Sequence, residues 1–600
     1  MSAQDTPPTS RNLTDPMMLI HALRPVFEKA GPLLARINEL INEHVSDTEQ
    51  PIDPFGLREA WATYMDYALA QPEKTFTRQF SWWTECMALW QNYMMRVMGE
   101  SSAPSLYEPQ KGDRRFKSEL WTENPYFDFL KQLYLLTGKH ILDSLNDFSD
   151  MDEPTRKKLD FALRQYISAI SPTNFLLTNP EAIQATLESG GENLIRGLEN
   201  LIRDLERGKG ELQISMTDYK AFQLGKNIAV TEGSVIYRNE IMELIQYKAT
   251  TKNVYKEPLL IIPPWINKYY ILDLQEHNSF IKWLVDQGHR VFVISWVNPT
   301  AKLSHLTFEE YMRKGILQAL DEIQTATKAK DINAIGYCIG GTLLTMTLSW
   351  LEKTKTKHPI KTATFLTTLL DFEEAGELKL FTTPAQIEVI EAQMKHAKGI
   401  LPAQNLKTTF SMLRANDLIW NFVINNYLIG KDPFPFDLLY WNDDSTNLPA
   451  PMHSYYLRNM YLDNKLKEPD ALEFAGEKLD ITKIKTPSYF LATQEDHIAP
   501  WPGCYASMQL FTSEKIFTLA GSGHIAGVVN PPAKKKYGYY TSSKTPDNRT
   551  DYLKEAKWED GSWWPHWQKW IEKKNAKEKI AALKPAKELC KAPGTYVKKR

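Results

Sequence analysis

Three residues in the second half of the chain have the side chains and the chain order of a nucleophile, an acid and a base. Cys338 lies within I-G-Y-C-I-G-G (335–341), Asp496 follows an apolar run, and His524 follows the small residues G-S-G. A thiol can lose its proton to an imidazole and attack a carbonyl carbon, while a carboxylate orients and charges the imidazole ring. This pattern indicates acyl transfer through a covalent acyl-cysteine.

The segment around Cys338 predicts a sharp turn between a strand and a helix. INAIGY (332–337) is apolar, and TLLTMTLSWLEK (342–353) has helical spacing. In α/β-hydrolases this context, with G-x-S-x-G at the turn, forms the nucleophile elbow. Gly336 and Gly340 leave room where a side chain would collide with the neighbouring backbone, and the helix N-terminus favours a thiolate anion. A buried structural cysteine is the alternative, because the motif is short.

The partners of the thiol occur in the order that the α/β-hydrolase fold requires, which is nucleophile, acid and then histidine. Asp496 follows SYFLAT and His524 follows KIFTLA, and both runs have strand character. In an open α/β sheet, ligands bind at the C-terminal ends of the strands. Glu495 and His497 are the neighbouring alternatives. The short Asp carboxylate suits a fixed reach to an imidazole, and His497 shares its loop with Asp496, so we predict Asp496 and His524.

Two backbone N–H groups should bind the oxyanion that forms during acyl transfer. One belongs to Ile339, the residue after the nucleophile. The other lies in P-P-W-I-N-K (263–268), directly after the apolar run PLLII. Because Pro264 has no N–H, Trp265 or Ile266 is the candidate. A rigid di-proline turn without a catalytic role is the alternative.

The elements that must position these residues predict an α/β fold of the α/β-hydrolase class, with a mostly parallel sheet and helices on both faces. Short apolar runs alternate with helical patterns over 210–600, and a long aromatic and helical insertion at about 372–480 has the place of a lid. Residues 21–209 repeat apolar positions with helical spacing and predict an all-helical N-terminal domain. A polar, Pro-rich arm over 1–20 is expected to be disordered. The Lys-rich tail from about 570 predicts a solvated helix or a loose end.

Composition argues against several classes of protein. The net charge of -2 over 600 residues gives no global field that would recruit nucleic acid. The spacings of the cysteines indicate neither a zinc site nor a disulfide framework. The N-terminus lacks the basic and apolar regions of a signal peptide, and no apolar stretch reaches the ~18 residues that span a bilayer. We expect a cytoplasmic chain with reduced thiols, no metal and no transmembrane segment.

Long strings from about residue 100 to the C-terminus resemble class I polyhydroxyalkanoate synthases. They are DRRF (113–116), NPYFDFL (124–130), PPWINKYYILDL (263–274), GYCIGGT (336–342), TTLLDF (367–372), NDLIWNFVINNYL (416–428), PFDLLYWNDDSTNLP (435–449), EDHIAPW (495–501), GSGHIAGVVNPPAKKK (521–536) and GSWWPHW (561–567). The first hundred residues carry no comparable signature. Trp265 stands where some members of the family have Cys, so the packing of that loop is expected to differ.

The resemblance implies that the chain polymerises (R)-3-hydroxyacyl-CoA, with 3-hydroxybutyryl-CoA as the expected substrate, into polyester with release of CoA. It implies a triad of Cys338, Asp496 and His524, no cofactor apart from the CoA of the substrate, and a homodimer on polymer granules, with phasin-type granule proteins as further partners. A thiol nucleophile suits a thioester substrate, because exchanging one thioester for another is nearly isoenergetic. The alternatives are a thioesterase or cysteine hydrolase of the same fold and, from a different class, a non-catalytic granule-associated protein.

Overall fold

The computed structural model of the chain describes residues 12–45, 56–99, 104–576, 578–582, 584 and 587–599. These residues form two compact units. The helical unit is drawn from Met1–Asp218 and Thr409–Phe434, and the α/β unit from Tyr219–Thr408 and Pro435–Arg600. The predicted insertion at 372–480 is therefore divided, since its residues 409–434 belong to the helical unit.

The helical unit is built from amphipathic helices, as the spacing of its apolar residues predicts. They are α1 (Pro16–Val45), α2 (Leu57–Ala70), α3 (Pro72–Val97), α4 (Leu120–Glu123), α5 (Pro125–Asp143), α6 (Glu153–Ala169), α7 (Pro180–Ser189) and α8 (Glu192–Arg207). Two of these helices, α5 and α7, begin with Pro directly after a capping Asn. The side chain of Asn124 accepts a hydrogen bond from the amide of Tyr126, and that of Asn179 accepts one from the amide of Glu181. Of the predicted disordered arm, residues 1–11 lie outside the described residues, and α1 begins at Pro16.

The centre of the α/β unit is a sheet in the strand order β15-β14-β13-β12-β7-β6-β4-β5-β2-β1-β17. Its strands are β1 (Gly233–Arg238), β2 (Met242–Tyr247), β4 (Pro258–Ile262), β5 (Arg290–Trp296), β6 (Ile332–Tyr337), β7 (Ile360–Leu366), β12 (Ser488–Thr493), β13 (Lys515–Ala520), β14 (Tyr539–Thr541), β15 (Lys557–Glu559) and β17 (Cys590–Lys591). The strands from β13 to β5 in this order are parallel, and those on either side are antiparallel. The other strands are β3 (Asn253–Tyr255), β8 (Ile400–Leu401), β9 (Leu448–Pro449), β10 (Leu472–Phe474), β11 (Glu477–Leu479) and β16 (Lys579–Ala581).

The parallel sheet is buried on both faces, which explains why its strands are continuously apolar. Within β4, Leu260 and Ile262 join one core cluster, and Leu259 and Ile261 join the other.

The helices of this unit are α9 (Phe280–Asp286), α10 (Phe308–Glu310), α11 (Gln318–Thr327), α12 (Ile339–Lys353), α13 (Pro384–His396), α14 (Ala403–Leu413, whose last turn lies in the helical unit), α15 (Asp437–Asp443), α16 (Ala450–Tyr456), α17 (Trp501–Gln509), α18 (Arg549–Glu555) and α19 (Trp564–Lys574). None of the described helices combines the length and apolar character needed to cross a bilayer.

Two segments of the C-terminal tail pair as strands with earlier parts of the α/β unit, so the prediction of a solvated helix or loose end is wrong for them. Strand β16 pairs with β3, and β17 pairs with β1. The fully buried carboxylate of Glu243 accepts the amides of Thr595 and Tyr596 at 2.8 and 3.0 Å and so holds the tail in place. Short edge strands without a long apolar run are hard to predict from a Lys-rich sequence.

Candidate active site

Cys338 occupies the sharp turn between β6 and α12. Its backbone has φ 52° and ψ -125°, a conformation that side chains rarely adopt and that costs on the order of 1–3 kcal/mol. Its amide donates to the carbonyl of Leu366 in β7 at 2.9 Å, and its carbonyl accepts the amide of Gly341 at 2.8 Å. The half-buried thiol therefore lies at the N-terminus of α12, at the carboxyl edge of the sheet.

The flanking glycines are required by close backbone approach. A Cβ on Gly336 would collide with Gly341, and a Cβ on Gly340 would collide with the carbonyl of Ile262 and lie 2.9 Å from that of Pro263. The predicted reason for the glycines of G-x-C-x-G is thus confirmed. Because Gly340 packs on the end of β4, the turn at Cys338 and the loop after β4 are neighbours.

Asp496 and His524 lie together at the same edge, on the loops after β12 and β13. The Nδ1 atom of His524 is 2.7 Å from Oδ2 of Asp496. The other carboxylate oxygen, Oδ1, accepts the amides of Ile498 and Ala499, both at 2.8 Å. The side chain of Asp496 is 0 % exposed and that of His524 is 9 % exposed. The carboxylate is therefore held rigidly, with one oxygen directed at the imidazole.

The electrostatics of His524 link all three predicted residues. Burial lowers the pKa of the imidazole, but its interactions with the charges of Asp496 and Cys338 outweigh burial and raise the pKa to about 10. His524 therefore interacts with the thiol as well as with the carboxylate. The arrangement can move a proton from sulfur to nitrogen and stabilise the resulting ion pair.

The two loops are tied to each other and to α19. The amide of Glu495 donates to the carbonyl of Ser522 at 2.9 Å. The indole N–H of Trp563 donates to the carbonyl of Gly527 at 3.0 Å, and that of Trp564 donates to the carbonyl of Val528 at 2.9 Å. Both rings are fully buried. The G-S-W-W-P-H-W motif therefore supports the loop that carries His524, a role that sequence reasoning did not assign to it.

The residues predicted to supply oxyanion amides lie at the two neighbouring loops. Ile339 begins α12 directly after Cys338 and is buried. Trp265 is 2 % exposed, its ring lies 4.6 Å from that of Tyr311, and its indole N–H contacts the sulfur of Met452 at 3.3 Å. Trp265 therefore fixes the loop after β4 through an aromatic cluster, and Ile266 follows it at a partly buried position.

Three tyrosines close to the thiol were missed by sequence reasoning. The hydroxyl of Tyr337 donates to the backbone carbonyl of His524 at 3.1 Å. Burial raises the pKa of Tyr456 and Tyr461 above their ordinary value, and the charge of Cys338 contributes in both cases. Tyr456 and Tyr461 come from the predicted insertion, where the many aromatic residues gave no signal that separates them from the rest.

In the part of the chain that the structure describes, neither the other cysteines nor the acidic residues offer a competing site. Cys504 is buried, which raises its pKa well above the ordinary value, and Cys86 and Cys590 lie in α3 and β17. In the described ranges of the chain, no group of three or more His, Cys, Asp or Glu side chains could hold a metal ion. Cys338 is therefore the thiol with an adjacent base.

The parallel sheet, the turn at Cys338 and the Asp and His loops define an α/β-hydrolase fold. In agreement, a family model described as "alpha/beta hydrolase fold" matches residues 257–531. A second model, described as "Poly-beta-hydroxybutyrate polymerase (PhaC) N-terminus", matches residues 112–284. Among solved structures, a putative non-heme bromoperoxidase from Mycobacterium tuberculosis is 10% identical with a TM-score of 0.31, over 49% of this chain and 90% of that one.

Curated relatives are similar over most of their length. The chain is 47% identical to "Poly(3-hydroxyalkanoate) polymerase" of Methylorubrum extorquens, over 88% of each chain. It is 42% identical to "Poly(3-hydroxyalkanoate) polymerase subunit PhaC" of Cupriavidus necator, over 85% of this chain and 86% of that one. The chain therefore belongs to the poly(3-hydroxyalkanoate) polymerase family, as the resemblance of its motifs predicted. It is an enzyme of the acyltransferase type that acts in polyhydroxyalkanoate synthesis.

Proposed function

We propose that the chain polymerises (R)-3-hydroxyacyl-CoA, with 3-hydroxybutyryl-CoA as the expected substrate, through an acyl-Cys338 thioester and with release of CoA. One observation carries this proposal: a rigid Asp496 carboxylate lies 2.7 Å from the imidazole of His524, and the charge of Cys338, at a strained strand–helix turn, acts on the same imidazole. The names of the curated relatives support the class of product.

In the acylation step, His524 accepts the proton of Cys338 and the thiolate attacks the thioester carbonyl. The bond between Sγ and the carbonyl carbon forms, the bond from that carbon to the CoA sulfur breaks, and CoA leaves with the proton from His524. Amides of Ile339 and of the loop after β4 hold the oxyanion. Because one thioester replaces another, little free energy is lost in this step.

In the elongation step, the hydroxyl of another hydroxyacyl unit or of the chain end attacks the acyl-cysteine. His524 accepts the hydroxyl proton, the ester bond forms, and the bond from the carbonyl carbon to Sγ breaks, after which the proton returns to Cys338. Ester formation from a thioester is downhill and drives growth of the polymer. Both oxygens of Asp496 are already engaged, so we propose that Asp496 acts through His524 and not on the hydroxyl itself.

The chemistry needs no cofactor beyond the CoA that the substrate carries, because a thioester is already an activated acyl donor. Water must compete poorly with the hydroxyl if the acyl-enzyme is to elongate. We propose that the part of the predicted insertion at 372–480 that belongs to the α/β unit restricts water at the thiol, since it contributes the buried rings of Tyr456 and Tyr461. A homodimer on polymer granules, with phasin-type partners, is the assembly that we propose on the resemblance alone.

The test is incubation of the protein with 3-hydroxybutyryl-CoA, following free thiol and turbidity together. We expect both to increase for the wild type and for C86A, whose cysteine lies in α3, and neither to increase for C338A. Thiol release without turbidity, accompanied by soluble 3-hydroxybutyrate, would indicate a hydrolase. Thiol release by C338A at the wild-type rate would overturn the assignment of the nucleophile.

A further inference from the structure

The loop after β4 is held along its length by a second segment of the α/β unit. We call residues 263–268 the oxyanion loop and residues 441–447 the clamp segment. Asn267 pairs with Ser445 in an antiparallel bridge. The amide of Thr446 donates to the carbonyl of Ile266 at 3.0 Å. The indole N–H of Trp441 donates to the carbonyl of Lys268 at 2.6 Å. The clamp segment therefore fixes the oxyanion loop through its backbone.

A buried ion pair sets the register of these two segments. The Nζ atom of Lys268 is 2.6 Å from Oδ1 of Asp444, and the hydroxyl of Tyr270 donates to Oδ2 at 3.0 Å. The side chains of Lys268 and Asp444 are 3 % and 7 % exposed. Because a buried pair is tolerated only when its remaining polar atoms are satisfied, a shift of one segment along the other would be strongly unfavourable.

Thr446 makes two hydrogen bonds to successive carbonyls of the oxyanion loop. Its hydroxyl donates to the carbonyl of Trp265, and its amide donates to that of Ile266. In a trans peptide the C=O and the following N–H point in opposite directions. Holding both carbonyls on the side of the clamp segment directs the N–H groups of Ile266 and Asn267 to the other side. Successive N–H groups on one side form a concavity that binds anions.

The turn at Cys338 adjoins the start of this loop, since the site of a Cβ on Gly340 would be 2.9 Å from the carbonyl of Pro263. We propose that Thr446 is a positioning residue that directs the Ile266 amide toward the oxyanion, so that Ile266 and Ile339 form the oxyanion hole. The N–H of Trp265 belongs to the preceding peptide unit, which Thr446 does not hold. This inference rests on the proposed role of Cys338 as the nucleophile.

The test compares T446V, which keeps the shape of the side chain but removes the hydroxyl, with T446S, which keeps the hydroxyl. We expect T446V to lower kcat for thiol release from 3-hydroxybutyryl-CoA by about 10- to 100-fold, part of the loss expected when an oxyanion donor is removed. KM should stay within about twofold, and T446S should recover most of kcat. The matched control is T362V, which removes a buried hydroxyl that donates to Asn333 at 2.7 Å in β6.

Alkylation of Cys338 by iodoacetamide, followed by peptide mass spectrometry, separates the possible outcomes. Alkylation needs the thiolate and His524 but no oxyanion hole, so T446V should be alkylated at the wild-type rate. An unchanged kcat in T446V overturns the inference. A parallel loss of alkylation and kcat also overturns it, because Thr446 would then act on the thiol or on the fold. If C338A retains thiol release, the proposed function itself fails, independently of Thr446.

Discussion

Substitution of Asp496 by Asn tests the electrostatic core of the site. Asn has nearly the same shape and can still accept the amides of Ile498 and Ala499 through its oxygen. Its NH₂ group then faces Nδ1 of His524, where the carboxylate of the wild type accepts a hydrogen bond. The imidazole is driven to the tautomer with its proton on Nε2, which cannot accept a proton from the thiol.

The size of the effect follows from the charge that is removed. Two unit charges about 4 Å apart attract by about 4 kcal/mol at an effective dielectric of 20. The pKa of His524 is raised from its ordinary value of 6.5 to about 10, which corresponds to about 5 kcal/mol at ~1.4 kcal/mol per pH unit. The charge of Asp496 is the largest of the effects that raise this pKa. We expect D496N to lower kcat by about 10³- to 10⁴-fold.

The assay is initial thiol release from 3-hydroxybutyryl-CoA at saturating substrate between pH 6 and 9. The matched control is D273N in the same unit, because Asp273 is also buried but is hydrogen-bonded to Thr231 and Ser279. Burial raises the pKa of Asp273, so neutralising it should cost little. A kcat for D496N within about tenfold of the wild type, with D273N normal, would refute the electrostatic role of Asp496.

Further predictions concern stability and the loops around the site. Burial lowers the pKa of His289, His453 and His566 to about 4. Below pH 6.5 the unfolded chain therefore binds more protons than the folded chain. Urea unfolding should show that the free energy of unfolding falls from pH 6.5 toward pH 4, by at most about 3 kcal/mol for His289. A flat profile would contradict this. W563F removes the N–H bonded to Gly527 and Val528, so it should lower kcat and should lower the unfolding free energy by about 1–3 kcal/mol. The control W570F, whose indole N–H has no partner in the described structure, should change kcat little. Equal losses of kcat in the two variants would argue against support of the His524 loop by Trp563. E243Q should lower the unfolding free energy by about 3 kcal/mol and speed proteolysis of the C-terminal tail, because it removes the charge that pairs with Arg238 and holds residues 595–596. Unchanged cleavage would show that other contacts hold the tail.

The sheet and the elbow were predictable because they depend on local patterns. Apolar runs buried on both faces give continuous hydrophobic strands, and the glycines at 336 and 340 report a close backbone approach that the structure has. The positions of Asp496 and His524 at one sheet edge were predictable because parallel strands bring their carboxyl ends together.

Other features depend on pairings between distant parts of the chain. The clamp of Thr446 on Trp265 joins residues 181 positions apart, and the contact of Trp563 with Gly527 joins loops from different motifs. The edge strands of the tail pair with strands more than 300 residues earlier, and their composition resembles that of a solvated segment. The periodicity within a segment does not indicate such distant partners, so neither the clamp segment nor the strand pairing of the tail could be predicted.

In the proposed mechanism both leaving groups are thiolates, and the raised pKa of His524 suits such a reaction. A histidine that holds its proton tightly is a strong base and a weak acid. An ester hydrolase must protonate a departing alkoxide, whereas a thiolate, whose conjugate acid has an ordinary pKa of about 8.5, leaves more readily without a strong acid. In the proposed elongation step, His524 must remove a proton from the hydroxyl after acylation has removed the charge of Cys338. Only Asp496 then sustains the basicity of His524, so the loss of activity in D496N should fall most heavily on ester formation.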